Sequence, residues 1–411
     1  MQKMKYSGVE WIGEIPEDWE ILPTKRFFRH TKTLAGDKVD TYERLALTMN
    51  GVIKRSKDDS EGLQPEKFDT YQVLKDNELV FKLIDLSNVK TSRVGLSPFT
   101  GIVSPAYIVL TNESDDNRFY YYFFISMYYN EIFNQLGDNG VRSSLNAQDL
   151  LSVPIVNISS DTQRRIADFL DDKCGKIDRY IEKQQQTIDK LKEYKQAVIT
   201  EAVRFRDGWT SCHLGYLAQF KNGLNYSGLS TDVEIKFLGV GDFQNHFMLN
   251  SKEMFSTLKF DGNMPEDLLL KNGDIVFVRS NGSKDLVGRS VLIDNVDYPL
   301  TYSGFCIRMR NIRQDIIQNK FLLYRFWSNE FRQSLNQDSR GSNINNLNQE
   351  LLSKFAVAFP VIDEQKKIVK YLDAKCFEID SAISKQTSII EKLTEYKKSL
   401  IYEAVTGKME V

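Results

Sequence analysis

Short polar runs in each half of the chain carry the side chains best suited to binding nucleic acid. They are rich in Arg, Lys, Asn, Gln and Ser, and the Gly and Asn residues beside them predict loops. Arg and Lys suit phosphates and guanine edges, while Asn and Gln suit adenine edges. The candidates in the first half are Thr48, Asn50, Lys54, Arg55, Asn88, Lys90, Arg93, Arg142, Ser143 and Ser144. The candidates in the second half are Gln244, Asn245, His246, Arg279, Asn281, Ser283, Lys284, Arg289, Arg340, Ser342 and Asn343.

For any single residue in these loops, a solvated turn explains the sequence as well as DNA contact does. The overall charge also limits the hypothesis, because a net charge of −2 and a pI near 6.1 do not suit a surface that follows phosphates everywhere. If the chain binds nucleic acid, local loops must therefore do it.

Catalytic motifs are largely missing. Residues 239–241 (GVG) follow an apolar pair, as in a nucleotide-binding turn, but the third glycine and the downstream acidic residue are absent. No phosphate loop ending in Gly-Lys-Ser/Thr occurs, which excludes an ordinary ATP-driven motor. His30, His213 and His246 are too scattered for a metal cluster, and the carboxylates show no recognisable pairing. We therefore expect no catalytic centre, metal or cofactor in this chain.

Composition indicates a folded protein with two to three domains, since 411 residues with 41% hydrophobic and 12% aromatic side chains can bury more than one core. Cys174, Cys212, Cys306 and Cys376 are too sparse for a disulfide scaffold and are predicted to be reduced thiols. No apolar run of membrane-spanning length occurs, and nothing resembles a secretion signal. These features predict a cytoplasmic location without membrane contact.

An internal repeat organises the chain. Residues 161–166 (DTQRRI) match residues 363–368 (DEQKKI) at an offset of 363 − 161 = 202, and the match continues without a gap to Val203 and Val405. Within it, 191–195 (LKEYK) pairs with 393–397 (LTEYK), and 199–203 (ITEAV) with 401–405 (IYEAV). The chain is thus predicted to be a duplication.

The repeated segments predict long helices with a coiled-coil seam, because apolar residues recur at spacings of three and four and no proline intervenes. The first copy of the seam is Ile166, Leu170, Cys174, Ile177, Ile181, Ile188, Leu191, Val198 and Ala202. A lone seam needs a partner, and the nearest is its own duplicate in an antiparallel pair. Ordinary amphipathic helices that pack only on their local domains remain an alternative.

The segments before each helix have short Tyr, Phe, Val and Ile runs broken by Gly, Asn, Asp and Ser, which predict mixed α/β domains. The predicted fold class is α+β, with two mixed α/β domains at 1–158 and 206–360. Two long helices at 159–205 and 361–411 form an antiparallel coiled coil, and the whole has a pseudo-two-fold internal duplication. The two domains repeat faintly, and they differ mainly in their loops, as two related binders with different targets would.

The ordered set of motifs resembles the specificity subunits of type I restriction-modification enzymes. The resemblance rests on residues 11–19 (WIGEIPEDW), the two helical repeats, and residues 406–408 (TGK) behind the second helix. The resemblance covers essentially the whole chain, although the first helix lacks the Thr-Gly-Lys ending. It implies that 1–158 and 206–360 are target recognition domains, each binding one half of a bipartite DNA site, with 159–205 and 361–411 as helical spacers.

The resemblance also implies partners. These are double-stranded DNA, two methyltransferase subunits docked on the helices, and restriction subunits with translocase and nuclease activity. S-adenosylmethionine, ATP and Mg would be bound by those partners and not by this chain.

Two other function classes remain open. A coiled-coil scaffold with protein-binding globular ends would keep the duplication but would show no salt-sensitive affinity for DNA. A methyltransferase or nuclease fused to specificity domains would need further motifs, for which this length leaves no room.

Overall fold

The computed structural model describes residues 3–59, 68–84, 86, 93–114, 116–136, 144–225, 233–244, 246–260, 264–282, 286–337 and 346–411. The chain forms two compact units. Unit 1 comprises Met1–Gln184 and Ser388–Val411, and unit 2 comprises Gln185–Thr387. Each unit therefore contains one of the predicted α/β domains together with part of each long helix.

Unit 1 begins with short strands and ends on helices. Its strands are β1 (Met4–Tyr6), β2 (Glu14–Pro16), β3 (Glu20–Pro23), β4 (Arg44–Thr48), β5 (Gly51–Arg55), β6 (Gln72–Leu74), β7 (Leu79–Phe81), β8 (Val94–Leu96), β9 (Gly101–Val103), β10 (Ile108–Leu110) and β11 (Pro154–Asn157). Its helices are α1 (Arg118–Tyr129), α2 (Ile132–Leu136), α3 (Ala147–Ser152) and the first part of α4 (Ser160–Ala202). Two 3-10 turns cover Thr24–Arg26 and Gly36–Thr41.

Unit 2 has the same plan. Its strands are β12 (Thr210–His213), β13 (Ala218–Asn222), β14 (Val233–Leu238), β15 (Met248–Leu249), β16 (Ser256–Phe260), β17 (Ile275–Val278), β18 (Ser290–Ile293), β19 (Leu300–Tyr302), β20 (Cys306–Asn311) and β21 (Ala356–Phe359). Its helices are α5 (Asn319–Trp327), α6 (Asn329–Gln337), α7 (Gln349–Lys354) and the first part of α8 (Ile362–Val405).

Strand pairing repeats between the units. In unit 1, β4 pairs antiparallel with β5 and parallel with β9, and β7 lies between β10 and β8. In unit 2, β14 pairs antiparallel with β16 and parallel with β19, and β17 lies between β20 and β18. The predicted duplication is thus confirmed in topology. One difference lies in a connection, since residues 49–50 join β4 to β5 whereas residues 239–255, including β15, join β14 to β16.

An aromatic helix packs on the central strand of each unit. Phe124 of α1 stacks edge-on against Phe81 of β7 with ring centroids 5.0 Å apart, and Phe326 of α5 stacks against Phe277 of β17 at 4.9 Å. All four rings are buried, and each contributes about 1.5 to 3 kcal/mol through burial. These contacts hold the sheet of each unit against its helices.

A carboxylate on each long helix anchors the aromatic helix beside it. In unit 1, the Tyr122 hydroxyl donates a 2.6 Å hydrogen bond to Asp171 of α4, and in unit 2 the Tyr324 hydroxyl donates one of 2.8 Å to Asp373 of α8. Burial of the rings raises the pKa of both phenols, and the neighbouring carboxylate raises it further. The phenols therefore stay protonated as hydrogen-bond donors.

The two long helices run in opposite directions. Within unit 1, Lys397 of α8 contacts Asp178 of α4 at 2.7 Å, and within unit 2, Lys195 of α4 contacts Asp380 of α8 at 2.7 Å. The number of the α8 partner falls as the α4 number rises, which an antiparallel pair requires. Partly exposed ion pairs of this kind contribute little stability, so their main value here is to mark the register.

The seam residues of the two helices share the buried cores. In unit 1, Leu170 and Cys174 of α4 lie in the same hydrophobic cluster as Leu400 and Ala404 of α8. In unit 2, Ile199 of α4 lies in one cluster with Leu372 and Cys376 of α8. Apolar residues at the predicted spacing are therefore buried on the face that each helix turns toward its unit. Among the described residues, no helix is both long enough and apolar enough to span a bilayer.

All four cysteines are unpaired, as predicted. Burial raises the pKa of the Cys174 thiol to about 11 and that of Cys306 to about 12. Both thiols are therefore protonated at neutral pH and unreactive.

The two chain ends meet in unit 1. The Lys408 ammonium donates to the Ile12 carbonyl at 2.9 Å, and the Tyr402 hydroxyl donates to the same oxygen at 3.1 Å. Gly407 adopts a φ of 71°, and a Cβ there would lie 2.5 Å from Pro16 Cδ and 2.9 Å from the Trp19 ring. The opening motif and the closing Thr-Gly-Lys are thus two sides of one packed contact.

Replacing Gly407 with Ala should destabilise the protein by about 2 to 4 kcal/mol, because it adds left-handed strain and an overlap with Pro16 and Trp19. Gly208→Ala is the matched control, since Gly208 has a φ of 88° but open space around its Cβ position. It should cost only about 1 kcal/mol. Urea unfolding compares the two variants, and equal losses would show that the contact at the chain ends is not tightly packed.

Candidate nucleic-acid interface

In unit 2, four segments converge where β17 ends. The Arg279 N–H donates to the Phe305 carbonyl at 2.7 Å, and the Arg279 carbonyl accepts from the Leu347 N–H at 2.7 Å. Ser280 forms a β-bridge with Asn346, and the Gly304 N–H donates to the Leu224 carbonyl. We call residues 279–281, 303–305 and 346 loop edge 2.

The predicted contact Arg279 is held on loop edge 2 by its neighbours. Its Nε donates to Asn346 Oδ1 at 3.3 Å and its Nη1 to the Gly304 carbonyl at 3.5 Å. The side chain is half-buried, while Asn281, two residues on, is exposed. The geometry places the Arg279 guanidinium beside the Asn346 amide, and such groups bind base edges and phosphates.

In unit 1 the corresponding strand β7 ends in the same way. Ile84 forms a β-bridge with Ser144, and the Leu145 N–H donates to the Leu83 carbonyl at 2.9 Å, as Leu347 does to Arg279. The register of β7 with β10, continued two residues, places Ala106 beside Leu83. We call residues 82–84, 104–106 and 144 loop edge 1. Ser144, a predicted contact, is exposed on it.

The β4–β5 hairpin carries four further candidates of unit 1. The Thr48 hydroxyl donates to the Gly51 carbonyl at 3.0 Å and accepts from the Asn50 N–H at 3.1 Å, which shapes the turn and leaves Asn50 exposed. Since β4 runs parallel to β9, the end of β4 points to the same end of the sheet as residues 104–106. The structure thus brings the hairpin turn and loop edge 1 to one end of unit 1.

Lys54 and Arg55 lie on β5 beside acidic partners. Lys54 contacts Glu43 at 2.6 Å, and Arg55 contacts Asp59 at 2.5 Å. Together with Arg44 and Lys57 they line an open cleft. Surface ion pairs are weak, so a DNA phosphate could replace the carboxylates as the partner of these cations.

The candidates Gln244, His246 and Arg289 come together in unit 2. Arg289 Nη1 donates to the Gln244 carbonyl at 2.8 Å, and Gln244 has a positive φ of 37°. All three line a cavity of about 210 Å³, with Trp327 and Ser290 among its other walls. Arg289 precedes β18 and bonds back to Val278, at the end of β17 from which loop edge 2 begins.

Arg93, another candidate for DNA contact, is buried in the structure. Its side chain is only 3% exposed, donates to Asn134 Oδ1, and stacks over the Tyr128 ring at 5.7 Å. This burial argues against a direct contact between Arg93 and DNA. Its position beside a polar loop made it look like a surface residue in the sequence.

The remaining candidates lie outside the described residues: Asn88, Lys90, Arg142, Ser143, Asn245, Ser283, Lys284, Arg340, Ser342 and Asn343. Sequence reasoning missed two exposed residues near the loop edges, Lys32 and Phe305. Lys32 Nζ donates to the Pro105 carbonyl at 3.1 Å, and Phe305 is 62% exposed. The alignment of 101–107 with 300–306 was the signal that could have found Phe305. In the described part of the chain, no three His, Cys, Asp or Glu side chains are arranged to hold a metal.

Residues 206–394 match the family model described as type I restriction modification DNA specificity domain. The chain is 28% identical over 326 residues to the StySPI specificity subunit of Salmonella potsdam, an alignment covering 75% of this chain and 66% of that subunit. It is also 28% identical over 136 residues to the EcoKI specificity subunit of Escherichia coli K12, covering 33% and 29% of the two chains. The predicted resemblance to the specificity subunits of type I restriction enzymes is therefore confirmed, and the family model matches the second half of the chain.

A solved structure supports the fold. One chain from a study of complex assembly and conformational transition of the type I R-M system aligns over 96% of this chain and 99% of its own length. The TM-score is 0.69 at 13% identity, so the match shows a shared fold and nothing finer. Two mixed domains and two long helices thus occur together in another solved chain.

Replacing Arg93 with Met should lower stability by about 1 to 3 kcal/mol, because the half-buried Asn134 amide oxygen loses its charged donor. Arg26→Met, at an exposed position of the same unit, should cost less than about 0.5 kcal/mol. Thermal unfolding of both variants tests this. If the Arg93→Met protein is instead stable and its DNA preference is altered, the result supports Arg93 as a DNA contact.

Proposed function

We propose that this chain is the DNA-recognition subunit of a type I restriction-modification complex, with each unit binding one half of a bipartite site. The observation that supports this most is the repeated construction of the two loop edges. The bridges Ile84 to Ser144 and Ser280 to Asn346 occupy equivalent places, yet the side chains around them differ. One scaffold with two sets of contact residues suits two unlike half-sites.

The local charge pattern supports loop contacts over a wide electrostatic surface. The chain as a whole carries a net charge of −2, whereas Arg279 lies on loop edge 2, Arg289 lies just before β18, and Lys54 and Arg55 lie together on β5. A major groove about 12 Å wide admits such loops, and each good contact to a base edge contributes about 1 to 3 kcal/mol of discrimination. Affinity for the phosphates would then come largely from other subunits of the complex.

The chemistry of the complex belongs, in this proposal, to the partners. The chain acts without a catalytic centre of its own, and S-adenosylmethionine, ATP and Mg bind to methyltransferase and restriction subunits. The complex works in the cytoplasm, where the chromosome is accessible.

The helices are proposed to dock the methyltransferase subunits. In each copy of the Glu-Tyr-Lys motif the lysine, Lys195 or Lys397, forms the ion pair between the helices, while the tyrosine stays exposed. Tyr194 is 50% exposed and its duplicate Tyr396 is 57% exposed. Exposed tyrosines are frequent anchors of protein interfaces, and two equivalent anchors suit two copies of one partner.

Single substitutions on the two units should change opposite halves of the recognition sequence. Asn50→Ala should relax one or more positions in one half only, and Arg279→Met should do so in the other, by about tenfold or more for each lost contact. Methylation mapping in a host carrying each variant with its methyltransferase gives the result. A single continuous site, or a variant that changes both halves, would contradict the modular proposal.

Removing either exposed tyrosine should cost one docking site. Tyr194→Ala and Tyr396→Ala should each reduce the complex from two methyltransferase subunits to one, because a truncated anchor costs about 2 kcal/mol or more of binding. Native mass spectrometry counts the subunits, and Tyr6→Ala, a 64% exposed tyrosine outside the helices, is the control. Two subunits bound to both variants would rule these tyrosines out as anchors.

A further inference from the structure

Phe305 stands out on loop edge 2 because it is a large apolar side chain displayed to solvent. It is 62% exposed, although full burial of a phenylalanine is strongly favourable. It lies in the turn of residues 303–305, between β19 and β20. An exposed aromatic side chain among polar loops, on a backbone that other segments hold in place, is available to contact a ligand.

The backbone around Phe305 is held on both sides. Its carbonyl accepts from the Arg279 N–H at 2.7 Å, and its N–H donates to the Ser303 hydroxyl at 3.2 Å. The preceding Gly304 donates to Leu224 at 2.8 Å, and its Cα lies so close to Asn225 that a Cβ would overlap the Asn225 side chain. The turn therefore presents the ring from a fixed position.

The neighbours of Phe305 are hydrogen-bonding groups suited to base edges. The guanidinium of Arg279 bonds the Gly304 carbonyl and Asn346, and the exposed Asn281 lies on the same loop edge. In the major groove, the thymine methyl is the apolar feature among hydrogen-bond donors and acceptors. An apolar side chain between polar ones matches that pattern.

Unit 1 has an apolar residue in the same place. Ala106 is exposed in a turn closed by the Tyr107 N–H and the Ser104 carbonyl at 3.1 Å. The turn of Phe305 is closed likewise, by the Cys306 N–H and the Ser303 carbonyl at 2.8 Å. Phenylalanine is among the side chains that contact thymine methyl groups, and its ring extends several ångströms farther from the backbone than the methyl group of alanine does.

We propose that Phe305 contacts the C5 methyl of a thymine in the half-site bound by unit 2 and so determines specificity at that position. The proposal rests on the proposed function, and it adds a residue and a base that the polar candidates do not include. Phe305→Ala gives unit 2 the side chain that unit 1 carries, so Phe305 accounts for part of the difference between the two half-sites.

Deoxyuridine isolates the methyl group, because it keeps every hydrogen-bonding edge of thymine. Once methylation mapping has defined the half-sites, each thymine of the second half is replaced singly, and the Kd of the complex with its methyltransferase subunits is measured. One replacement should weaken binding by the wild type about fourfold, the factor for losing one buried methyl-sized group. The same replacement should change binding by the Phe305→Ala complex by less than about 1.5-fold. The effects of removing the methyl group and of removing the ring are then not additive, as expected for two groups in contact.

Two controls give the comparison its meaning. Deoxyuridine in the first half-site should act equally on wild type and Phe305→Ala, and Tyr216→Ala, which removes another exposed ring of unit 2, should keep the wild-type sensitivity. A second half-site without thymine, equal sensitivity in both proteins, or a loss in Phe305→Ala that is the same whatever the base would overturn the role of Phe305. If the wild-type complex shows no sequence-specific binding at all, the proposed function itself fails.

Discussion

The hydrogen bond from a buried tyrosine to a carboxylate on a long helix is the contact on which the rest of each unit depends. Tyr122 with Asp171, and Tyr324 with Asp373, attach the first helix of each α/β domain to a helix that continues beyond it. A buried phenol without a partner would cost about 1 to 3 kcal/mol, so each ring is held in the orientation that reaches the carboxylate. The sheet packs on that same helix, and the loop edge is at the end of the sheet. Through these contacts, the long helix determines where the loops lie.

Packing of this kind suits the proposed recognition of two half-sites on DNA. Base pairs follow one another at a fixed rise. Each contact surface therefore meets its half-site only if its loops keep a constant position relative to the long helix. In each unit, packed aromatic rings and paired strands connect the helix carboxylate to the loop edge. Loops carried on such a scaffold can change in sequence without disturbing the helices, and this is the pattern of difference between the two copies.

The two copies end their long helices by different means. After α8, Thr406, Gly407 and Lys408 turn the chain onto the amino-terminal segment. After α4, the Val203 carbonyl instead accepts a 2.6 Å hydrogen bond from the buried Arg325 guanidinium, which also contacts Glu330. A cation at a helix carboxyl terminus satisfies its free carbonyls and its dipole. The absence of Thr-Gly-Lys after the first helix thus has a structural counterpart, and both helix ends are buried and bonded.

The sequence by itself determined the duplication, the two long helices and the resemblance to type I restriction specificity subunits. A repeat at the constant offset of 202 and an apolar seam at helical spacing are properties of neighbouring residues, and they survive in any environment. It also determined which polar residues were candidates, but not which of them face solvent. Arg93 and Arg279 look alike in the sequence, since both are basic residues next to polar loops.

Only the tertiary structure decided between them. Packing against Tyr128 and Asn134 encloses Arg93, whereas the bridge from Ser280 to Asn346 holds Arg279 at a loop edge. The same strand pairing joins segments far apart in the chain and turns Phe305 outward. Such contacts depend on register between distant strands, and local periodicity carries no information about that register.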